Sequence, residues 1–547
     1  MTKNRSANKK QDQRPTVTAT PELVAGTTPR RDLTLLYLLI AVAMFHFITM
    51  PRFFYPGDNF ATRAETAHLV QSGQLGIPYS MKQAFGGLLE NKGQYLYEND
   101  ARQLLFSKYG IANTCLYALP YLAEKAYSGQ VDFLRATPSL LFFINLLQIV
   151  LTLIATVYLF KTAALYTSRR WLRVVFVLLL FYTTFVWHYL RAPTHEIYQM
   201  VAMAGFFYHT VRFLRGAASG TAGSRPWGQL AAATCWGGFL VLLKFFFILN
   251  MAALAVFAAT AGPVSMGLFT RIKENVGRHL PRYLLYCALP AAVAAAILLT
   301  TNAYKFGSPL DNGYQQWLNK EGLAVDRLTL ASIPRALWWF FFDLTHKIDT
   351  DHANVFINCP IFAFGLFGLV RFARRHRPDC ILLAGIFVVN LLGACAYNGF
   401  TGGWCSGPRY LVPILIVSSL PFIFVMESVI AWKNRLAKLA AMVAMCLALG
   451  WSALLQFDLN SIHYFAWYYT TGVFAQFKQP AIEGYFRSVE IHRGLLAQDL
   501  LAHRRGQKQF PPLQIMEPLI PPNQRDGYLR LDGFVRQQAE LNFFFFE

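Results

Sequence analysis

The chain has 547 residues, of which 55% are hydrophobic and only 14% are charged. A soluble protein of this length carries nearer a quarter charged residues. Apolar runs of about 18 to 20 residues, long enough to cross a bilayer, recur along the sequence. The composition therefore excludes an ordinary soluble protein and predicts an all-α polytopic membrane protein.

The formal net charge is +21, which in a soluble protein would suggest a nucleic-acid partner. Here the basic residues lie in short clusters between apolar runs, a pattern typical of cytoplasmic loops. We therefore attribute the charge to membrane topology and expect no nucleic-acid partner. The eight cysteines include no CxxC pair, and most lie in apolar segments, where cysteine behaves as a small hydrophobic residue.

The first 32 residues are polar and basic and are predicted to form a disordered cytoplasmic tail. Their lysines and arginines place the N-terminus inside. The apolar run that follows, residues 33–50, has no small-residue cleavage site after it. It is therefore predicted to be a signal anchor rather than a cleavable signal peptide.

About eleven apolar segments are predicted to span the membrane within a transmembrane domain of residues 33–456. Every cluster of three or more lysines and arginines within this domain falls on the cytoplasmic side of the resulting topology, which puts the C-terminus outside. The segments are residues 33–50, 138–160, 172–189, 197–213, two within 228–261 that turn near Lys244, 283–303, 353–370, 380–397, 410–430 and 439–456.

Three polar regions are predicted to lie outside. The first external loop, residues 52–135, contains a short apolar stretch that we interpret as an interfacial helix rather than a crossing. The second external loop covers residues 304–351. An external C-terminal extension, residues 457–547, carries no chemical motif that we recognise.

The charged residues of this external face are the candidates for function, because charges near membrane depth tend to mark functional sites. Arginine and lysine also reach the interface for ordinary reasons, which is the alternative for each cation. The candidates are Asp58, Arg63, Glu65, His68, Arg191, His195, Glu196, Lys305, Asp311 and Arg409, together with Lys244 inside an apolar stretch.

One acid and several cations suffice for one kind of chemistry. A sugar on a polyprenyl phosphate already has a good leaving group, since the phosphate departs as an anion and needs no proton. A single base can take the proton of the attacking group. Arginine and lysine can bind the phosphate and neutralise the charge that develops on it.

Three segments resemble the GT-C superfamily of polyprenyl-phosphate-sugar-dependent glycosyltransferases. The resemblance is to bacterial members related to protein mannosyltransferases and to the aminoarabinose transferases of lipid A. The segments are GDNFATRAETAHLVQSGQLGIPYS at residues 57–80, NAYKFGSPLDNGY at 302–314 and GGWCSGPRYLVPI at 402–414. The resemblance implies a GT-C-like helix bundle with external loop helices packed over a cavity.

The resemblance also implies the site. Asp58 matches the family's catalytic acid, in the first external loop, and would act as general base. Many relatives have an Asp-Glu pair there, whereas this chain has Asp58-Asn59, so Glu65 is the nearest second acid or acceptor-binding residue. Arg409 matches the arginine of the Gly-rich turn and would bind the donor phosphate. The other candidates for that phosphate are Arg63, Arg191, His195 and Lys305; no metal ligands are assigned, and a divalent cation stays open.

The expected activity is inverting transfer of a sugar from a polyprenyl-phosphate donor to a lipid or glycan acceptor, at the external face of the inner (plasma) membrane. Two alternatives remain at this point. A transporter or flippase of lipid-linked sugars would use the same cations to bind a headgroup in transit. A surface-polysaccharide polymerase or ligase would use a diphosphate-linked glycan.

Overall fold

The computed structural model describes ten stretches of the chain: residues 32–51, 58–85, 96–132, 137–219, 226–262, 266–311, 313, 329–343, 354–397 and 407–461. For Asp58 and Asn59 it describes the helical backbone and not the side chains. The predicted cytoplasmic tail up to residue 31 and the predicted C-terminal extension from residue 462 onward lie outside the described residues, as does half of the second external loop.

Helices dominate the part of the chain that is described. In chain order they are α1 Thr34–Ile48, α2 Asp58–Ser72, α3 Ile111–Ser128, α4 Pro138–Ala164, α5 Arg170–Tyr182, α6 Val186–Arg191, α7 His195–Ala218, α8 Trp227–Leu243, α9 Ile248–Ala259, α10 Leu268–Tyr283, α11 Leu289–Phe306, α12 Ile333–Phe341, α13 Val355–Asn358, α14 Pro360–Arg375, α15 Arg377–Ala396, α16 Val412–Ser418, α17 Phe422–Ala431 and α18 Arg435–Ser461.

Four helices among the described residues are long and apolar enough to cross a membrane, and a bent pair makes a fifth. The bent pair is Arg409–Ser418 with Phe422–Ala431, at an angle of 43°. Shorter apolar helices include Thr34–Ile48 and Trp227–Leu243. The four long ones are Pro138–Ala164, Gly277–Phe306, Arg377–Ala396 and Arg435–Phe457. The chain is thus an α-helical membrane protein, as predicted.

Each predicted span coincides with a helix or a helix pair. The expected turn near Lys244 is present, since α8 ends at Leu243 and a short 3-10 turn leads into α9. The predicted single span 410–430 is broken between α16 and α17. Pro421 lies directly before α17. Proline has no backbone N–H to donate to the preceding helical turn, and its ring clashes with a carbonyl of that turn, so the helix breaks there.

The prediction of an all-α chain was incomplete, because the first external loop contains a three-stranded antiparallel sheet. Strand β3 (Leu104–Ser107) lies between β1 (Ile77–Pro78) and β2 (Leu96–Asn99). Ile77 pairs with Leu105, and Leu96 pairs with Ser107. Strands of two to four residues are too short to show an alternating pattern in the sequence.

The bundle is built around α7, which packs against α4, α8 and α16 and is buried on nearly all sides. Gly205 lets α8 approach closely, because a Cβ at this position would lie 2.7 Å from the indole of Trp236. A reciprocal amide pair joins α9 to α15, with Asn250 and Asn390 each donating to the other. Hydrogen bonds of this kind satisfy polar side chains that would otherwise lack partners inside a membrane-spanning bundle.

One end of the bundle is joined by ion pairs between helix termini. Arg215, near the end of α7, donates two hydrogen bonds to Asp379 at the start of α15, at 3.0 and 2.6 Å. It also donates to the carbonyl of Leu165 after α4. Arg375, the last residue of α14, pairs with Glu427 in α17. This is the arginine-rich end predicted to be cytoplasmic.

Candidate active site

The opposite end of the bundle collects the charged residues predicted for function, beginning with α2. Asp58 is the first residue of α2, which follows the first apolar helix after a short connection. Seven residues separate Asp58 from Glu65, a rise of about 10 Å along the helix axis. The helix packs on α3 and on β3, so the backbone at Asp58 begins a helix fixed by the first external loop.

A buried ion pair fixes the middle of α2. The carboxylate of Glu65 accepts from the ammonium of Lys305 at 3.1 Å, and the two side chains are 0% and 2% exposed. Thr114 donates to Glu65 at 2.9 Å, and Lys305 also donates to the carbonyl of Tyr109. The two residues lie 240 positions apart, so the pair joins the first external loop to the end of α11.

Helix α3 connects this ion pair to the break between α8 and α9. Its residue Asn113 donates to the carbonyl of Leu243 at 3.1 Å, and the next residue along the chain is Lys244. Gly110, just before α3, faces the carbonyl of Leu242, which a methyl group would overlap. The start of α3 and the end of α8 are therefore in direct backbone contact.

The side chains of Lys244 and Arg409 both contact the ring of Tyr410. The ammonium of Lys244 lies 4.1 Å from the ring centre of Tyr410, and the guanidinium of Arg409 lies 5.1 Å from it. Arg409 also donates to the Tyr410 hydroxyl at 3.3 Å, and Tyr397 packs edge-on against the ring. Two cations on a single ring create a concentrated positive site at this end of the bundle.

A cluster of tyrosines positions the remaining candidates. Arg63 donates to the hydroxyl of Tyr121 at 3.2 Å. His195 packs 4.5 Å from Tyr109 between ring centres. Burial, with Tyr198 as the next contributor, raises the pKa of the Tyr117 phenol, which stays protonated and donates to the carbonyl of Pro193.

Glu196 lies in the first turn of α7 and is almost wholly buried. A helix N-terminus favours an acid at this position. Its charge and that of Arg63 both act on Tyr117, so the two residues belong to the same neighbourhood. Glu196 is therefore a further buried carboxylate at this end of the bundle.

Arg191 joins two helix ends. Its Nε donates to the carbonyl of Thr49 after α1 at 2.6 Å, and its guanidinium also donates to the backbone of Asn460 near the end of α18. Cations are favourable at helix C-termini, where carbonyls lack partners. The structure thus places Arg191 where it holds the first and last described helices together.

The described residues contain no group of three or more histidines, cysteines, aspartates or glutamates able to hold a metal ion. His68, close to Glu65 in sequence, instead bonds Ser72 and the carbonyl of Gln74.

The sequence pointed to Lys244 as a charge within an apolar stretch but did not assign it to the phosphate site, and it did not select Tyr410 at all. A charge in an apolar run was the available signal for Lys244. Tyr410 had none, because its contact with Lys244 forms only when folding brings the end of α8 to the residue beside Arg409. The Gly-rich turn before Arg409, residues 398–406, lies outside the described residues.

The described part of the chain defines an α-helical membrane protein in which most of the buried charged residues lie at one end of the bundle. No protein-family model and no curated protein matches the sequence. Some solved structures are similar to the chain. One is ArnT from Cupriavidus metallidurans bound to undecaprenyl phosphate, with 13% identity, a TM-score of 0.44, and coverage of 87% of this chain and 73% of that one.

A second similar structure is the archaeal oligosaccharyltransferase AglB from Archaeoglobus fulgidus, solved with an inhibitory peptide and a dolichol-phosphate. The identity is 13% and the TM-score is 0.47. The likeness covers 83% of this chain and 59% of AglB, so this chain spans less than two thirds of that protein's length.

Proposed function

We propose that the protein is a membrane glycosyltransferase that moves a sugar from a polyprenyl-phosphate donor to an acceptor at the external face of the membrane, with inversion. The observation that carries the proposal is the continuous path of contacts at one end of the bundle. It runs from α2, which begins at Asp58, through Glu65 and Asn113 to Lys244 and Arg409.

In the proposed reaction, Asp58 is the general base. It takes the proton from the acceptor hydroxyl or amine as that group attacks the anomeric carbon. The new bond forms as the bond between the sugar and the phosphate oxygen breaks, and the electron pair leaves with the phosphate. One base is enough, because the departing phosphate is already a stable anion.

Arg409 and Lys244 are proposed to bind the donor phosphate. Arginine presents a planar fork to phosphate oxygens, whereas lysine acts as a point charge, so the two complement each other. Both charges converge on Tyr410, which fixes their positions before the donor arrives. Stabilisation of the leaving group by charges already in place requires no reorganisation during the reaction.

The other candidates take different roles in this proposal. Glu65 and Lys305 bond each other, so we assign them to positioning α2 rather than to the acceptor and the phosphate. Arg191 is assigned to joining helix ends. Arg63 and His195 remain the candidates for further donor contacts, and Glu196 is the proposed second carboxylate.

The proposal is tested with purified protein in nanodiscs and synthetic polyprenyl-phosphate monosaccharides that carry a labelled sugar. Membrane and glycan fractions serve as acceptors. We expect labelled sugar in the acceptor and free polyprenyl phosphate in equal amount. Movement of the labelled lipid across sealed vesicles without any transfer would contradict the proposal and identify a flippase.

The phosphate site is tested by donor binding to Lys244→Gln and Arg409→Gln. Each change removes a charge-assisted contact, so donor affinity falls about tenfold or more. The matched control is Lys82→Gln, since Lys82 is a partly exposed cation of the first external loop, paired with Glu98 and outside the proposed phosphate site. Equal affinity in all three variants would contradict this assignment.

A further inference from the structure

Outside the candidate active site, α10 is an amphipathic helix at the arginine-rich end of the bundle. Its sequence, LFTRIKENVGRHLPRY, carries four lysines and arginines and one glutamate. Phe269 is 87% exposed, and Leu280 is exposed as well. None of the roles proposed above uses this helix.

Hydrogen bonds join α10 to the end of α9. Asn275 donates to the carbonyls of Ala259 and Ala261, and the Tyr283 hydroxyl donates to that of Ala258, all at the end of α9. Asn275 and Tyr283 are eight residues apart, about 12 Å along a helix. Both positions of α10 therefore contact the end of α9, at the level where α10 continues into the apolar helix Gly277–Phe306.

The other end of α10 meets the start of α8. The guanidinium of Arg282 lies 5.7 Å from the ring of Trp227, and His279 packs 5.6 Å from the same ring. Trp227 begins α8, one of the apolar helices. Because α8 begins and α9 ends at this level, α10 lies at the boundary of the apolar part of the bundle.

The helical repeat separates an inner from an outer face. Arg271, Asn275 and Arg282 share the face that meets α9 and α8, whereas Phe269, Lys273 and Leu280 share a face on the far side. The outer face thus joins exposed apolar side chains to a cation. Helices of this composition lie in the membrane interface, with apolar side chains among the acyl chains and basic ones at anionic headgroups.

We propose that the outer face of α10 binds anionic phospholipid headgroups of the cytoplasmic leaflet. Phe269 and Leu280 enter the acyl region, and Lys273 contacts the lipid phosphate. The surplus of basic over acidic residues in the helix makes the surface complementary to an anionic leaflet rather than to a neutral one. This binding surface is separate from the proposed transferase site.

The test places a tryptophan at the outer face of the full-length protein. Phe269→Trp and the control Thr270→Trp are reconstituted in nanodiscs of phosphatidylcholine, with or without phosphatidylglycerol, whose acyl chains carry bromine. Thr270 is also exposed but lies about 100° round the helix. Emission of the parent protein is subtracted from that of each variant.

We expect bromine to quench the tryptophan at position 269 at least about twofold more than that at position 270, as interfacial burial requires. The difference should increase with phosphatidylglycerol and decrease when Lys273→Gln is added. Equal quenching at the two positions would overturn the proposal, as would strong quenching at position 269 by aqueous acrylamide. Quenching that is indifferent to phosphatidylglycerol would overturn the assignment to anionic lipid.

Discussion

The sequence identified Lys305 and Glu65 as candidate functional charges but could not predict that they pair with each other. Both stood out as polar residues near an external membrane surface, and each was expected to meet a substrate. The structure shows them bonded to each other across 240 residues. A pairing at such a distance in sequence depends on the packing of α2, α3 and α11, which no local pattern records.

Burial of the Glu65–Lys305 ion pair predicts that removing one of its charges destabilises the protein. Lys305→Met leaves the carboxylate of Glu65 buried without its cation, which should lower the free energy of unfolding by about 3–5 kcal/mol. The double variant Glu65→Gln/Lys305→Met removes both charges and should recover part of that loss. Apparent melting temperatures in detergent measure both effects.

The control for that prediction is Lys82→Met. Its partner Glu98 and Lys82 itself are 28% and 43% exposed, so the loss should stay within about 1 kcal/mol. A Lys305→Met variant that melts like the Lys82→Met variant would show that the buried pair adds little to stability.

At the scale of elements, the sequence located the spans but not every break within them. Apolar run length placed the helices, and the charge at Lys244 marked the turn between α8 and α9. The break between α16 and α17 carried a signal in Pro421 that run length alone could not reveal. The short strands of the first external loop carried no signal, because their pairing joins residues from separate parts of the loop.

The break also creates a close helix contact that can be tested. Gly368 on α14 faces the carbonyl of Pro421, which a methyl group would overlap. Gly368→Ala should therefore lower stability by about 1–3 kcal/mol through overpacking. Gly450→Ala is the control, since a Cβ there meets nothing within 4 Å. Replacing glycine by alanine in an open helical position should be neutral or stabilising.

Thermal unfolding of the two glycine variants measures the difference. We expect a lower melting temperature for Gly368→Ala and an unchanged or higher one for Gly450→Ala. If the two variants have the same melting temperature, α14 can move away from the break without loss of stability. The contact then does not constrain the bundle.

For the whole molecule, the sequence predicted which groups share an end of the bundle. Basic clusters assigned Arg215 and Arg375 to one side and Lys244 and Arg409 to the other, and the described contacts of these four residues follow that division. Which end faces the cytoplasm, and the number of eleven spans, remain predictions from the distribution of charge.

Orientation is measured by thiol labelling in intact cells. Gln130, two residues after the end of α3, is exposed, and so is Ser168 between α4 and α5, so each is replaced by cysteine. A membrane-impermeant maleimide should label the first without permeabilisation and the second only after it, with the parent protein as background. The reverse pattern would invert the proposed topology and put Asp58 in the cytoplasm.

The most direct measurement is sugar transfer by Asp58→Asn in nanodiscs, beside the control Asp132→Asn in an exposed part of the same loop. Loss of a general base should reduce the transfer rate by about 10²–10⁴-fold while the donor lipid still binds. The control should transfer at the parent rate. Transfer by Asp58→Asn at the parent rate would contradict the assignment of the catalytic base, and with it the proposed mechanism.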